Sequence, residues 1–370
     1  MKKQWLSNFL LAGTIRFLLM NSGYQRIITD RVEVSTALNS WKRVTEGIYL
    51  YNIGIDPYAG DLFHETPIAL LLAFTAKEYA TELVSKRKEE KSSNENTENY
   101  DTSIVSTTMM YVSAGYLFNP YVILNCVGHT TTVFTNLLYS IALVAMTKSS
   151  IFWSNLSISL LALQGLYPIS LIVPTIIYIA RSDSTNQKRN IIIFVTTFIS
   201  TLTALFCICY YIMGKVFENF RWLFIASFQI NVGLLYIVPL ALRLRHDPML
   251  LAFSYLAIAA IFKSYPCIGD VGFYVSLLPL WKHLFQYTRQ GFIVGCFMLF
   301  CTVFAPTVWY QWIYARSANA NFYFGVTLAF AIAQIFLLTD ILFASVKHEF
   351  AIRHGINKDV SESTAKLLLE

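Results

Sequence analysis

The sequence predicts an all-α, multi-pass membrane protein with about 12 transmembrane helices, and three observations carry that expectation. Of 370 residues, 55% are hydrophobic and only 14% are charged, where a soluble domain has roughly 25% charged residues. Mean hydropathy is +0.51. The few charges are also unevenly spread, leaving uncharged runs long enough for helices that need about 20 residues per crossing. A soluble globular fold is excluded. The net charge of +6 reads as loop asymmetry across a bilayer, because no basic block interleaves with aromatics as a phosphate-tracking groove requires.

Taken in chain order, Trp5 to Met20 is a first helix, retained because no small-residue cleavage site follows it. Residues 21–65 form a long outward loop. Thr66 to Val84 is the weakest expected span, since it holds Lys77, Glu78 and Glu82. The polar stretch 85–101 (SKRKEEKSSNENTENYD) reads as a disordered cytoplasmic loop. From Thr102 to Thr147 there is no charge, which suits two crossings with a break around Gly128 and His129. Ser149 to Ala180 suits a pair of short helices broken by Gly165 and Pro168. Asn190 to Gly214, Trp222 to Leu242, Gln290 to Ala315 and Ser317 to Thr339 each suit one helix. Pro248 to Phe262 and Val271 to Trp281 are shorter and flank a polar break. Residues 355–370 read as a cytoplasmic tail. No internal repeat is visible, so residues 1–370 are expected to form a single multi-pass domain.

Basic residues set the orientation. With Lys2 and Lys3 cytoplasmic, alternate gaps holding Lys86 to Lys91, Lys148, Arg181/Lys188/Arg189, Arg243/Arg245, Lys282/Arg289 and Lys347/Arg353 also fall inside. Both termini are then cytoplasmic. This parity requires Thr66 to Val84 to cross.

Three outward segments concentrate polar chemistry. The 21–65 loop holds Trp41, Arg43, Glu46 and Asp56 and ends in Phe63-His64-Glu65; it is either an interface anchor or a cap that contacts something polar. Lys263 to Asp270 (KSYPCIGD) interrupts a hydrophobic run with two opposite charges. Ionisable groups at that depth line a cavity, sit in an interface turn with Lys263 snorkelling, or simply pair with each other. Ala315 to Tyr323 carries Asn319 and Asn321, whose amides either cap the next helix or bind a ligand.

Other residues have bland readings. His129 reads as an interface residue, and Asn119-Pro120 as a helix start. Asn155-Leu156-Ser157 fits a glycosylation pattern but lies within an expected span. The six cysteines sit mostly in apolar runs and read as small core hydrophobes, with neither a disulfide framework nor a metal site. Nucleophile elbows, Ser-His-Asp arrangements and phosphate loops are absent from the sequence, so no catalytic residue, metal or cofactor is expected.

Seven runs, in order along the chain, resemble the PIG-U family, a membrane subunit of the glycosylphosphatidylinositol (GPI) transamidase complex. They are RVEVSTALNSWKRVTEG (31–47), DPYAGDLFHETP (56–67), LFNPYVILNC (117–126), LYPISLIVP (166–174), FQINV (228–232), IFKSYPCIGDVGFY (261–274) and ARSANANFYFGVTL (315–328). The resemblance implies a GT-C-like helical fold with a lumenal first loop, residence in the endoplasmic reticulum membrane, and partnership with other transamidase subunits, including a cysteine-protease-like catalytic one. It also implies a part in recognising the GPI lipid or the protein's C-terminal attachment signal. On that reading the candidate recognition residues are Arg43, Glu46, Asp56, His64, Glu65, Lys263, Asp270, Asn319 and Asn321. Phe217, Glu218 and Phe220 join them as the end of a family lipid-recognition segment.

The alternative is an active GT-C glycosyltransferase using a dolichol-linked sugar. Such enzymes need adjacent or one-apart acids in the first loop, whereas Asp30, Glu33, Glu46, Asp56, Asp61 and Glu65 are spaced apart. Two family segments are shortened here, one after Pro67 and one before Phe228.

Overall fold

The computed structural model describes residues 2–36, 98–164, 167–182, 187–212, 232–263 and 266–354. The candidates Arg43, Glu46, Asp56, His64, Glu65, Phe217, Glu218 and Phe220 lie outside the described residues, as do the expected span at 66–84, most of the 85–101 loop and the tail. Among the described residues every regular element is helical. The chain divides into two compact units, Met1–Leu280 and Trp281–Glu370.

The first unit begins with α1 (Lys2–Met20) and a short α2 (Tyr24–Thr29). Helix α3 (Glu98–Leu117) takes residues 98–101 of the expected disordered loop into its first turn. The uncharged stretch expected to hold two helices holds three, α3, α4 (Pro120–Val127) and α5 (Thr132–Thr147). The added break has a local cause. Asn119 is extended before Pro120, and its side chain accepts the Tyr121 N–H at 3.0 Å, so the chain restarts with a cap and a first-turn proline. The break at Gly128 and His129 is where the sequence puts it, and His129 takes left-handed backbone (φ 51).

The pair of short helices is also present, as α6 (Ile151–Gln164), then a 3₁₀ turn (Tyr167–Leu171) that runs into α7 (Ile172–Ser182). Helix α8 (Gln187–Ile212) packs on α6 and α7. Asn155 of α6 is 3% exposed and donates to the Phe194 carbonyl at 3.3 Å and to the Thr197 hydroxyl, both on α8. That amide joins two helices. A wide π turn (Gly233–Ile237) leads into α9 (Val238–Arg243), and the Ile237 carbonyl accepts the Tyr255 hydroxyl at 2.7 Å.

Helix α10 (Pro248–Phe262) is buried on every side from Pro248 to Ala260, so it forms the shaft of this unit. Asp247 caps it by accepting the Leu250 N–H at 3.1 Å. After the polar break comes α11 (Ile268–Leu277), and a 3₁₀ segment (Leu278–Tyr287) carries the chain from one unit to the next.

The second unit is built on a helical hairpin. Helices α12 (Gly291–Ile313) and α13 (Ala320–His354) pack along each other, with Arg316 in left-handed backbone (φ 53) at the turn. Among the described residues, segments Gly291–Ile313 and Ala320–Ile352 are the two helices long and apolar enough to cross a membrane. Several helices of the first unit are apolar but shorter.

Candidate functional site

Three of the runs that carry the family resemblance meet at one end of the first unit. Cys267, 2% exposed, opens α11 and accepts the Gly269 N–H at 3.4 Å. Its sulfur also lies 3.3 Å from the Val34 carbonyl and 3.3 Å from Asn125 Oδ1, either of which can take the thiol proton. Asn125 Oδ1 accepts a second bond, from Thr130 at 2.7 Å. The Ile268 N–H is held by the Glu33 carbonyl at 3.2 Å. Asn136 on α5 donates to the Gly269 carbonyl at 3.4 Å. Residues 31–35, 117–126 and 266–274 are thereby one structure.

Two glycines make the approach possible. A Cβ on Gly269 would sit 2.4 Å from the Asn125 side chain, and one on Gly272 would sit 2.8 Å from Val122. Only hydrogen fits there, so α4 and α11 pack almost backbone to backbone. Asn119 reinforces the contact by donating to the Gly272 carbonyl at 3.2 Å.

Burial, added to by Asp270, pushes the Cys267 thiol up to about 11, against the pull of Lys263 and the hydrogen bonds from Gly269 and Thr132. With contacts to Val34, Asn125, Thr132 and Gly269, Cys267 is a polar hub rather than the plain core hydrophobe that its apolar surroundings predict.

Lys263 and Asp270 flank this hub and pair at 2.8 Å. Of the readings open for these charges, the mutual ion pair is present. The carboxylate side is 8% exposed and the ammonium side 32% exposed, so the pair presents its cation outward. Burial alone lowers the Lys263 pKa, but the Coulombic pull and hydrogen bond of Asp270 outweigh it and the net shift is upward. Beside the hub, both Glu33 carboxylate oxygens and Asn136 Oδ1 are buried with no hydrogen-bond partner among the described residues.

Asn319 and Asn321 belong to the second unit. Asn319 caps α13 by accepting the Asn321 N–H at 3.0 Å, as the capping alternative expects. Both line an open recess of about 570 Å³ between α12 and α13, whose walls include Phe300, Phe304 and Phe322.

Sequence reasoning missed Asn125, Asn136 and Thr130. Their signal was present, because a polar amide inside an uncharged, helix-length run needs an internal partner. It also missed Asp340 on α13, whose carboxylate accepts the Arg289 and Gln290 N–H groups at 2.9 and 3.1 Å, pinning the start of α12.

The sequence profile of a family described as GPI transamidase subunit PIG-U matches residues 10–86, 77–215 and 208–330. The chain belongs to the PIG-U family. Its relatives include the human GPI-anchor transamidase component PIGU, 29% identical over 97% of this chain and 98% of the human protein. The mouse protein of that name is 30% identical with the same coverage. The GPI transamidase component GAB1 of Saccharomyces cerevisiae is 25% identical over 88% of this chain and 90% of its own length. The PIG-U match passes from one piece to the next at residues 77–86 and 208–215. Those joints adjoin the two segments that the sequence reading finds shortened.

Proposed function

We propose that this chain is a subunit of a GPI transamidase in the endoplasmic reticulum membrane. In this role it assembles with the catalytic subunit and helps present the GPI lipid or the attachment signal. The observation that carries this reading is the family match from residue 10 to residue 330, together with names that call its relatives transamidase components. The chain is multi-pass with about 12 spans, has both termini cytoplasmic, and acts without a catalytic residue of its own. The polar hub and the Lys263–Asp270 pair then face the lumen. The half-buried Lys263 ammonium suits a phosphate or carboxylate, and the apolar helix faces suit acyl chains.

The test is expression of tagged full-length chain in cells lacking their own PIG-U protein. Recovery of the other transamidase subunits with the tag and return of a GPI-anchored reporter to the cell surface are expected. A chain that purifies alone and restores no reporter overturns the reading. Within that assay, Lys263→Asp with Asp270→Lys separates two roles. If pairing is all that matters the exchange restores attachment, whereas a ligand contact by Lys263 leaves attachment low while the complex still assembles.

A further inference from the structure

The first turn of α11 is bordered by acceptors that meet no donor. Glu33 and Asn136 hold its first two residues, since the Glu33 carbonyl accepts the Ile268 N–H at 3.2 Å and the Asn136 amide donates to the Gly269 carbonyl at 3.4 Å. Their side-chain oxygens are a different matter. The two Glu33 carboxylate oxygens and Asn136 Oδ1 are buried with no hydrogen-bond partner among the described residues. Asn136 as a whole is 1% exposed.

The helix start itself has no donor left for them. The Ile268 N–H goes to the Glu33 carbonyl, the Gly269 N–H to the Cys267 sulfur and the Asp270 N–H to the Cys267 carbonyl, so the N–H groups that open α11 are already taken. The positive pole of the helix carries Asp270 in its first turn. Lys263 is bound to Asp270 at 2.8 Å. Of these three charged side chains, Glu33 is the one without a counter-ion.

Three unmet acceptors, one pair of them anionic, specify a ligand that is cationic and rich in donors. Water supplies hydrogen bonds but leaves the charge unbalanced. Calcium or magnesium takes about six oxygens or more, and among the described residues no group of three or more His, Cys, Asp or Glu side chains is placed to hold a metal ion. A primary ammonium carries one positive charge and three N–H donors, which matches one carboxylate and one amide oxygen.

We propose that Glu33 and Asn136 together bind a primary ammonium group beside the first turn of α11, the carboxylate supplying the charge and the amide oxygen a further acceptor. Such a site belongs to this chain alone, whatever complex the chain enters.

Purified full-length chain in detergent is heated with increasing ethanolamine at neutral pH, and its unfolding midpoint is compared with that in choline and in sodium chloride at equal ionic strength. A saturable rise with ethanolamine alone is expected, because choline carries the charge without an N–H donor. Glu33→Gln keeps the volume of the side chain and should weaken the apparent affinity about tenfold or more, the scale of a charged hydrogen bond. Glu33→Asp, which restores the charge, should bind more tightly than Glu33→Gln. Asn136→Leu should weaken the affinity about fivefold. No rise with ethanolamine, an equal rise with choline or sodium, or a rise that Glu33→Gln retains overturns the site, and an affinity that Asn136→Leu leaves unchanged overturns the joint role. Nanodiscs of phosphatidylcholine with a minority of phosphatidylethanolamine then separate the sources of the amine. Enrichment of phosphatidylethanolamine among the retained lipids, lost in Glu33→Gln, identifies a lipid head group, whereas bulk composition beside an ethanolamine response identifies a soluble amine.

Discussion

The two units of this chain hold themselves together by opposite means. In Met1–Leu280 the helices are mostly short, and side-chain polar groups join residues far apart in sequence, as Cys267 meets Asn125 and Val34. In Trp281–Glu370 two long helices connected by a short turn pack along each other, and large apolar side chains such as Phe292, Leu299 and Phe324 stay exposed. A helix that spans by length alone satisfies its backbone internally and needs few partners. A short helix has to be fixed by its neighbours. The first unit is therefore the one that single substitutions near the polar hub should disturb.

The largest effect expected is at Gly269. Gly269→Val forces a branched side chain into Asn125, with a cost of about 3 kcal/mol from overpacking. Thermal unfolding in detergent, followed by proteolysis, should show cleavage within the first unit while the 291–354 hairpin persists; loss of both together would erase the contrast.

Next comes Lys263→Met, which strips Asp270 of its partner, for about 1.5 kcal/mol through the lost charged hydrogen bond. The pH dependence has a definite sign, because the folded Lys263 pKa lies above its ordinary value of 10.5. Stability from the pair is full below that value and declines only as pH rises through the higher folded one. A stability curve of wild type minus variant that falls before the ordinary lysine range would contradict the pairing.

Asn125→Leu removes the side-chain acceptor of Thr130 and Cys267 but leaves them the Asn125 and Val34 backbone carbonyls, at a cost of about 1 kcal/mol. Retention of wild-type stability would mean that packing alone holds α4 to α11.

The smallest effect expected is in the second unit. Asp340→Ala removes the acceptor for two N–H groups at the start of α12 and costs about 1 kcal/mol, the scale of a lost cap. Hydrogen exchange should quicken at Arg289 and Gln290 and leave the first unit unchanged.

What the sequence showed and what it concealed follow the range of the forces involved. Breaks at Gly128 and Pro168 and the capped start at Asn119-Pro120 depend on neighbours a few residues away, and turn chemistry announces them. The polar break at 263–270 was visible because opposite charges interrupt an apolar run. That these charges pair was one of the open readings, and only the three-dimensional geometry shows it. The meeting of Asn125 with Cys267 spans 142 positions and leaves no periodicity to find. Asp340 was equally hidden, since a carboxylate at the edge of a hydrophobic run gives no hint that its acceptors face the start of another helix 50 residues upstream.

The length of α13 has a practical consequence. At about 1.5 Å per residue, its 35 residues measure roughly 52 Å. Hydrocarbon about 30 Å thick accommodates little more than half of that rod. If its apolar portion fills that thickness, the remaining turns carry Lys347, His348 and Glu349 beyond the acyl chains, where His348 packs edge-on against His283 and Tyr287. A single label placed there tests the proposed cytoplasmic side of that end without relying on any loop.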